Sequence, residues 1–313
     1  MLDRSSPGHS AAFLALFPAH SPSRNPTVDT TDAQPWTLEN LDLTRIDVAR
    51  IRHDEDLFFL VCAASFAEQA AQPHMHELVK QFAGDRAWQA WLRQCWQPEK
   101  CQHGHALAAY VRHVWPEYDW QAGFKACLDD AVVQPPELYR ERGLTLAARC
   151  VIGAGVASHY RALGEITDEP VLRELVACIK RDQVRHFNRF CQQLEQCRTE
   201  EGTGRYRMLR AMLGQARRGR APNHDAALQP VFAQCYPQQV ADPASRAQLA
   251  DRVHQRLRAH FGANTTARML LKPLDLSPRL HDMLERPLTR FSHRVWPLPS
   301  RAHAALAPEP ARS

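Results

Sequence analysis

Glu99-Lys100-Cys101-Gln102-His103-Gly104 and Asp182-Gln183-Val184-Arg185-His186 are two versions of one pattern. In each, an acid precedes a histidine by four residues, a spacing that puts both side chains on one face of a helix. The position three residues before the histidine shares that face, and there the chain carries Lys100 in one copy and Gln183 in the other. Both copies sit inside long runs of helical periodicity. The pattern therefore speaks for packed helices before it speaks for any chemistry.

Outward from these motifs the chain reads as helices joined by Gly and Pro. A long helix is expected from about Asp54 to Phe82, with Leu57, Leu60, Val61, Ala64, Ser65 and Glu68 on one row. Gly84-Asp85 marks a turn. A second helix is expected over about 86–114, and Pro98 within it predicts a break or a fresh start that leaves Glu99 in a first turn. Trp115 to Trp120 reads as a loop, and a shorter helix closes near Pro135-Pro136. A third long helix covers about 143–167. A fourth follows from Asp168-Glu169-Pro170, with Asp168 as the expected N-cap, and runs to about Cys197 before a linker at 199–204. Further helices are expected near 206–217, 226–234, 244–261 and 280–291. With almost no strand-like alternation, the fold class is all-α.

Composition narrows the setting. The chain has 313 residues with 44% hydrophobic content, enough to bury a sizeable core. The apolar stretch Ala11 to Phe17 falls short of a signal peptide, and no run is long enough to span a bilayer. The nine Cys form no C-x-x-C pair and fall mostly within helical patterns, so reduced, buried thiols and a cytoplasmic setting are expected. The net charge is +5, yet residues 205–313 hold 18 basic against 7 acidic residues. Such a region could contact acidic partners such as nucleic acid or lipid, but no recognition motif accompanies it, so a solvated arginine-rich surface is the favoured reading. His74 and His76 are two apart and so face different sides of their helix. No phosphate-binding loop, Ser-His-Asp order or nucleophile elbow is present.

Four segments in order resemble one family: Ala64-Ser65-Phe66-Ala67-Glu68, Glu99 to Gly104, Ala154 to Leu163, and Asp182 to His186. Together they look like the ferritin-like di-iron carboxylate superfamily, in particular bacterial relatives of the acyl-carrier-protein desaturases and di-iron oxygenases. The likeness covers about Trp36 to Cys197 and, more weakly, Met269 to Leu274. It implies a ferritin-like four-helix bundle over 37–200, with a basic helical extension over 205–298 packed on it; residues 1–36, rich in Ser, Pro, His and Asp without apolar periodicity, and residues 299–313 are expected to be disordered tails.

The family pattern implies one Glu on each of two helices and a Glu-x-x-His on each of the other two. Transferred residue by residue, the six ligand positions fall on Glu68, Lys100, His103, Gly153, Gln183 and His186. Lys100, Gly153 and Gln183 are substitutions, so three of four carboxylates are missing. His159 lies six residues beyond Gly153 and points elsewhere on its helix. Glu99 and Asp182 match the outer acids that orient the metal-binding histidines in the family.

Two readings stay open at this level. In one, no metal binds: Lys100 pairs with Glu68, the histidines bond the flanking acids, and the protein is a non-catalytic scaffold or partner of an active paralogue or of a second copy. In the other, Glu68, His103 and His186 hold one iron or other divalent ion, the ligand set of mononuclear oxygen-activating oxidoreductases. Burying a cation pair beside an ammonium argues against a full di-iron centre in either case.

Overall fold

The computed structural model describes residues 36–70, 72–129, 139–218 and 224–295. The expected tails, apart from Trp36, and the Pro135-Pro136 segment lie outside them. Contacts group residues 36–313 into one unit, so the bundle and its extension are not separate bodies. Every regular element is helical, and no strand occurs among the described residues.

After a short α1 (Val48–Ile51), the first long helix is α2 (Glu55–Gln69), capped by Asp54, whose side chain accepts from the Leu57 amide at 3.1 Å. The single helix expected to reach Phe82 is in fact two, because α3 (Gln72–Gln81) starts afresh. Pro73 then occupies its second position, where a missing N–H costs nothing. At Pro98 there is no break in the helical path, but the expected fresh start is present, with Pro98 and Glu99 in the first turn of a new α-helix. Helix α4 (Arg86–Trp91) passes through a widened π turn at Leu92–Trp96 directly into α5 (Gln97–Val114). The wider turn accommodates the proline without ending the helix.

Helix α6 (Trp120–Asp129) lies in the connection that follows. Helix α7 (Arg142–Ile166) and helix α8 (Pro170–Glu201) form the most extensive pair in the molecule. Glu169, not Asp168, caps α8: its carboxylate accepts from the amides of Val171 and Leu172 at 3.1 and 2.7 Å, immediately before Pro170 in the first helical position. Asp168 pairs with Arg50 instead. The helix also outruns the expected end at Cys197, stopping at Glu201 where Gly202 takes φ 63°, the left-handed conformation that favours glycine.

Matched contacts give the helix directions. Arg142 meets Glu201 and Cys150 meets Cys191, so α7 and α8 are antiparallel. Phe58 meets Trp115 while Glu68 meets His103, so α2 and α5 are antiparallel. His103 meets Asp182 and Tyr110 meets Glu169, so α5 and α8 are antiparallel as well. It follows that α7 runs parallel to α5.

The C-terminal helices α9 (Arg205–Arg218), α10 (His224–Cys235), α11 (Pro243–Ala259), α12 (Ala263–Leu271) and α13 (Pro278–Val295) cover the long ones, with α9 and α12 on α7 and α10 on α2. Part of the basic surplus is spent inside the chain. Arg252 pairs with Glu55 and Asp56, and Arg256 with Asp54, so acids at the start of α2 hold α11. Arg205 pairs with Asp275 and Arg207 with Glu141. No helix among the described residues is long and apolar enough to cross a membrane.

The apolar core is split in two. One cluster gathers Leu57 to Phe66, Ala106 to Val114, Tyr160 to Leu163 and Val171 to Ile179. The other gathers Trp88, Trp96, Leu146 to Ala154 and Phe187 to Cys197. On α7 and α8 the boundary falls within the helix, and the buried polar residues Glu68, His103, Asp182 and Gln183 come from helices that border it.

Candidate functional site

Glu68, near the end of α2, is the centre of that polar layer and is almost wholly buried. Lys100 of α5 forms an ion pair with its Oε2. His103, one turn on, places Nδ1 3.3 Å from the same oxygen. From α8, Gln183 donates Nε2 to Oε1 at 3.1 Å, and from α7 Tyr160 donates its hydroxyl to Oε1 at 2.9 Å. Every long helix thus sends a polar group to one carboxylate.

The two acid–histidine motifs cross. His103 Nε2 lies 3.0 Å from Asp182 Oδ2, and His186 Nε2 lies 2.5 Å from Glu99 Oε2. Each acid serves the histidine of the opposite helix rather than its own. Arg185 closes the ring, reaching Glu99 at 2.7 Å and Asp182 at 2.9 Å. Trp36 donates its indole N–H to Asp182 at 2.7 Å and stacks on His103, with centroids 5.9 Å apart and planes within 3°.

These contacts set the charges. Burial alone would raise the pKa of Glu68, but Lys100 and His103 overcome it and hold the carboxyl well below its usual range. Burial is likewise outweighed at Asp182, by His103, Trp36 and Arg185, and at Glu99, by His186 and Arg185; both acids are lowered. Burial would lower His103, yet its contacts with Asp182 and Glu68 outweigh that and raise it, and each ring nitrogen lies beside a carboxylate. At His186 burial prevails over Glu99 and lowers the pKa. Lys100, His103 and Arg185 thus face Glu68, Glu99 and Asp182 across the layer.

Gly153 stands on α7, where a Cβ would meet Cδ2 and Cβ of Phe187 at 3.4 and 3.5 Å. It contributes no ligand atom. Tyr160, which sequence reasoning passed over, lies seven residues further on and hence on the same helix face, a spacing that could have flagged it. Arg185 was visible inside its motif but had no assigned partner, and nothing near Trp36 hints at a residue 146 positions away. His159 packs edge-to-face with Tyr160, ring centroids 5.5 Å apart. His76 is exposed, and the side chain of His74 is outside the described residues. All nine cysteines are free thiols.

A divalent ion at Glu68, His103 and His186 would have to compete with this network. Lys100 occupies the Glu68 oxygen that faces His103, and both His103 nitrogens are engaged by carboxylates. Of His186, only Nδ1 lacks a partner. Among the described residues, only His281, Asp282 and Glu285 of α13 bring one ligand atom each within 4.8 Å of one another. That group is partly exposed, and Glu285 already accepts from Arg268 at 2.7 Å. The donor set of the polar layer does not fit a resident metal. Compared with protein-family models and with curated proteins, the chain matches none.

Proposed function

We propose that this chain is a ferritin-like four-helix bundle in which an internal charge network stands where relatives place a metal centre, and that it works as a non-catalytic scaffold or partner protein. The observation that carries the reading is the ion pair of Lys100 with Glu68 at the middle of the bundle. An ammonium seated on the one surviving family carboxylate does electrostatically what a metal cation would do, and excludes it.

Helix directions support the fold half of the proposal. Parallel α5 and α7, flanked by antiparallel α2 and α8, match the single-crossover connectivity of ferritin-like bundles rather than simple up-down order. The absence of chemistry at the layer throws function onto surfaces. Tyr206, Leu209 and Leu213 are exposed at 78%, 40% and 42% along one face of α9, an apolar stripe fit to receive a protein partner.

The test is elemental analysis of untagged protein grown with added iron and zinc. A metal-free protein is expected. One equivalent of metal per chain, lost on His103→Ala or His186→Ala, would replace this reading with a mononuclear oxidoreductase.

A further inference from the structure

Cys150 of α7 and Cys191 of α8 meet across the most extensive helix pair in the molecule, with their sulfurs 3.6 Å apart. The two thiols are placed differently. Cys150 is sealed in the second apolar cluster, whereas Cys191 lies half-buried at its edge, where solvent reaches it. The helices run close here: one turn along, a Cβ on Gly153 would lie 3.7 Å from the Cα of Phe187. Thiols carried by backbones that near fall within the span of a disulfide. A cation also stands near Cys191, since exposed Lys272 donates at 2.7 Å to Asn188, one turn earlier on α8. The hydrogen bond from Cys150 and the charge of Lys272 bring the Cys191 thiol below its ordinary pKa despite burial. Burial instead raises Cys150, and it raises the other half-buried thiols Cys95, Cys101 and Cys178.

We propose that Cys150 and Cys191 form a peroxide-reactive dithiol, in which Cys191 is oxidised first and Cys150 then closes a disulfide that staples α7 to α8. The Cys191 thiolate attacks one oxygen of hydrogen peroxide: an S–O bond forms, the O–O bond breaks, and hydroxide leaves. The Cys150 sulfur then attacks the sulfenic sulfur. The S–S bond forms, the S–O bond breaks, and the departing hydroxide carries off the Cys150 proton as water. The first hydroxide takes up the proton that Cys191 had released, so two thiols lose two electrons and one peroxide becomes two waters. Placement sets the order. The sulfur that solvent reaches and a cation attends meets the oxidant, and the sealed sulfur lies in contact to resolve it. The linkage restricts the unfolded chain between 150 and 191, so the oxidised form is the more stable one. Neither Glu68 nor Lys100 takes part, so the dithiol stands or falls apart from the metal-free reading.

The experiment treats the reduced full chain with hydrogen peroxide, counts its thiols, maps disulfides by mass spectrometry of non-reduced digests, and follows thermal melting. The wild type is expected to lose two of its nine thiols, to yield a linked Cys150–Cys191 peptide and to melt higher, all reversed by dithiothreitol. Cys150→Ser should stop at a sulfenic acid on Cys191, which dimedone traps. Cys191→Ser should give no linked peptide and leave Cys150 reduced. If a serine variant fails to fold, Cys150→Ala or Cys191→Ala replaces it, and the disulfide map of the wild type carries the assignment by itself. No loss of thiols at peroxide concentrations that oxidise free cysteine, linkage through any other cysteine, or oxidation of Cys191 to the sulfinic acid with Cys150 still free would overturn the proposal.

Discussion

Lys100 is ion-paired with Glu68 where the two apolar clusters of the bundle meet, and neither side chain has an alternative partner of opposite sign as close. Breaking such a pair from one side leaves a charge without compensation. Lys100→Met and Glu68→Gln should therefore each destabilise the fold by about 3–5 kcal/mol. The double variant should lose much less than the sum, because two neutral groups have no unpaired charge to bury. Urea unfolding of all four proteins measures the coupling, and additive losses would mean that the pair is not what organises the layer.

The two histidines respond to pH in opposite senses. His103 is raised above its ordinary 6.5, so its stabilisation is full below that value and is lost as pH rises through its folded pKa. His186 is lowered, so its stabilisation is present above 6.5 and is lost as pH falls through its folded pKa. Separating them exposes each slope. His186→Gln, which leaves His103, should grow less stable from about pH 6 to about pH 8, and His103→Gln should grow more stable over that range. Denaturant midpoints at three pH values suffice, and slopes of the same sign in both variants would refute the assignment of charge.

What the sequence disclosed was faces, and what it concealed was partners. The four-residue spacing of Glu99 with His103 and Asp182 with His186 places each pair on an inward face. It carries no information about the neighbouring helix, and the bonds cross from Glu99 to His186 and from Asp182 to His103. Tyr160 was recoverable, being two turns from Gly153, but Trp36 reaches Asp182 from ahead of the first helix and leaves no periodic trace. At two junctions a proline alone did not decide the path of the chain, for the same reason. At Pro98 a widened turn, and at Pro73 a new helix start, decided between kink and break, and both depend on packing that local propensity does not record.

Two glycines on these helices should answer to alanine with opposite signs. At Gly104 a Cβ would come 2.4 Å from Gln69 Cγ and 3.2 Å from the Gln69 backbone nitrogen, so α2 itself stands in the way. Gly104→Ala is expected to destabilise by about 1–3 kcal/mol, the usual cost of overpacking. At Gly153 the added carbon meets only Phe187, its Cδ2, Cβ and Cα, all at ordinary contact distance. Gly153→Ala should stabilise by about 0.5–1 kcal/mol through helix propensity. Thermal melts of the two variants would test both, and stabilisation at Gly104 would place α2 and α5 further apart than described.

The ligand assignment can be tested by reversal. If Lys100, Gly153 and Gln183 occupy the positions of lost carboxylates, Lys100→Glu, Gly153→Glu and Gln183→Glu together surround Glu68, His103 and His186 with the charge that two ferrous ions require. The triple variant should take up about two equivalents of iron, held by the full carboxylate–histidine set. Lys100→Glu alone should take up none and should be less stable, since it sets two carboxylates against each other with no cation between them. Adding iron should then restore stability to the triple variant and leave the single variant unchanged, because ligand binding to the folded state alone is stabilising. Elemental analysis paired with thermal melts distinguishes these outcomes, and a folded triple variant that binds no iron would remove the structural basis for equating this layer with a metal centre.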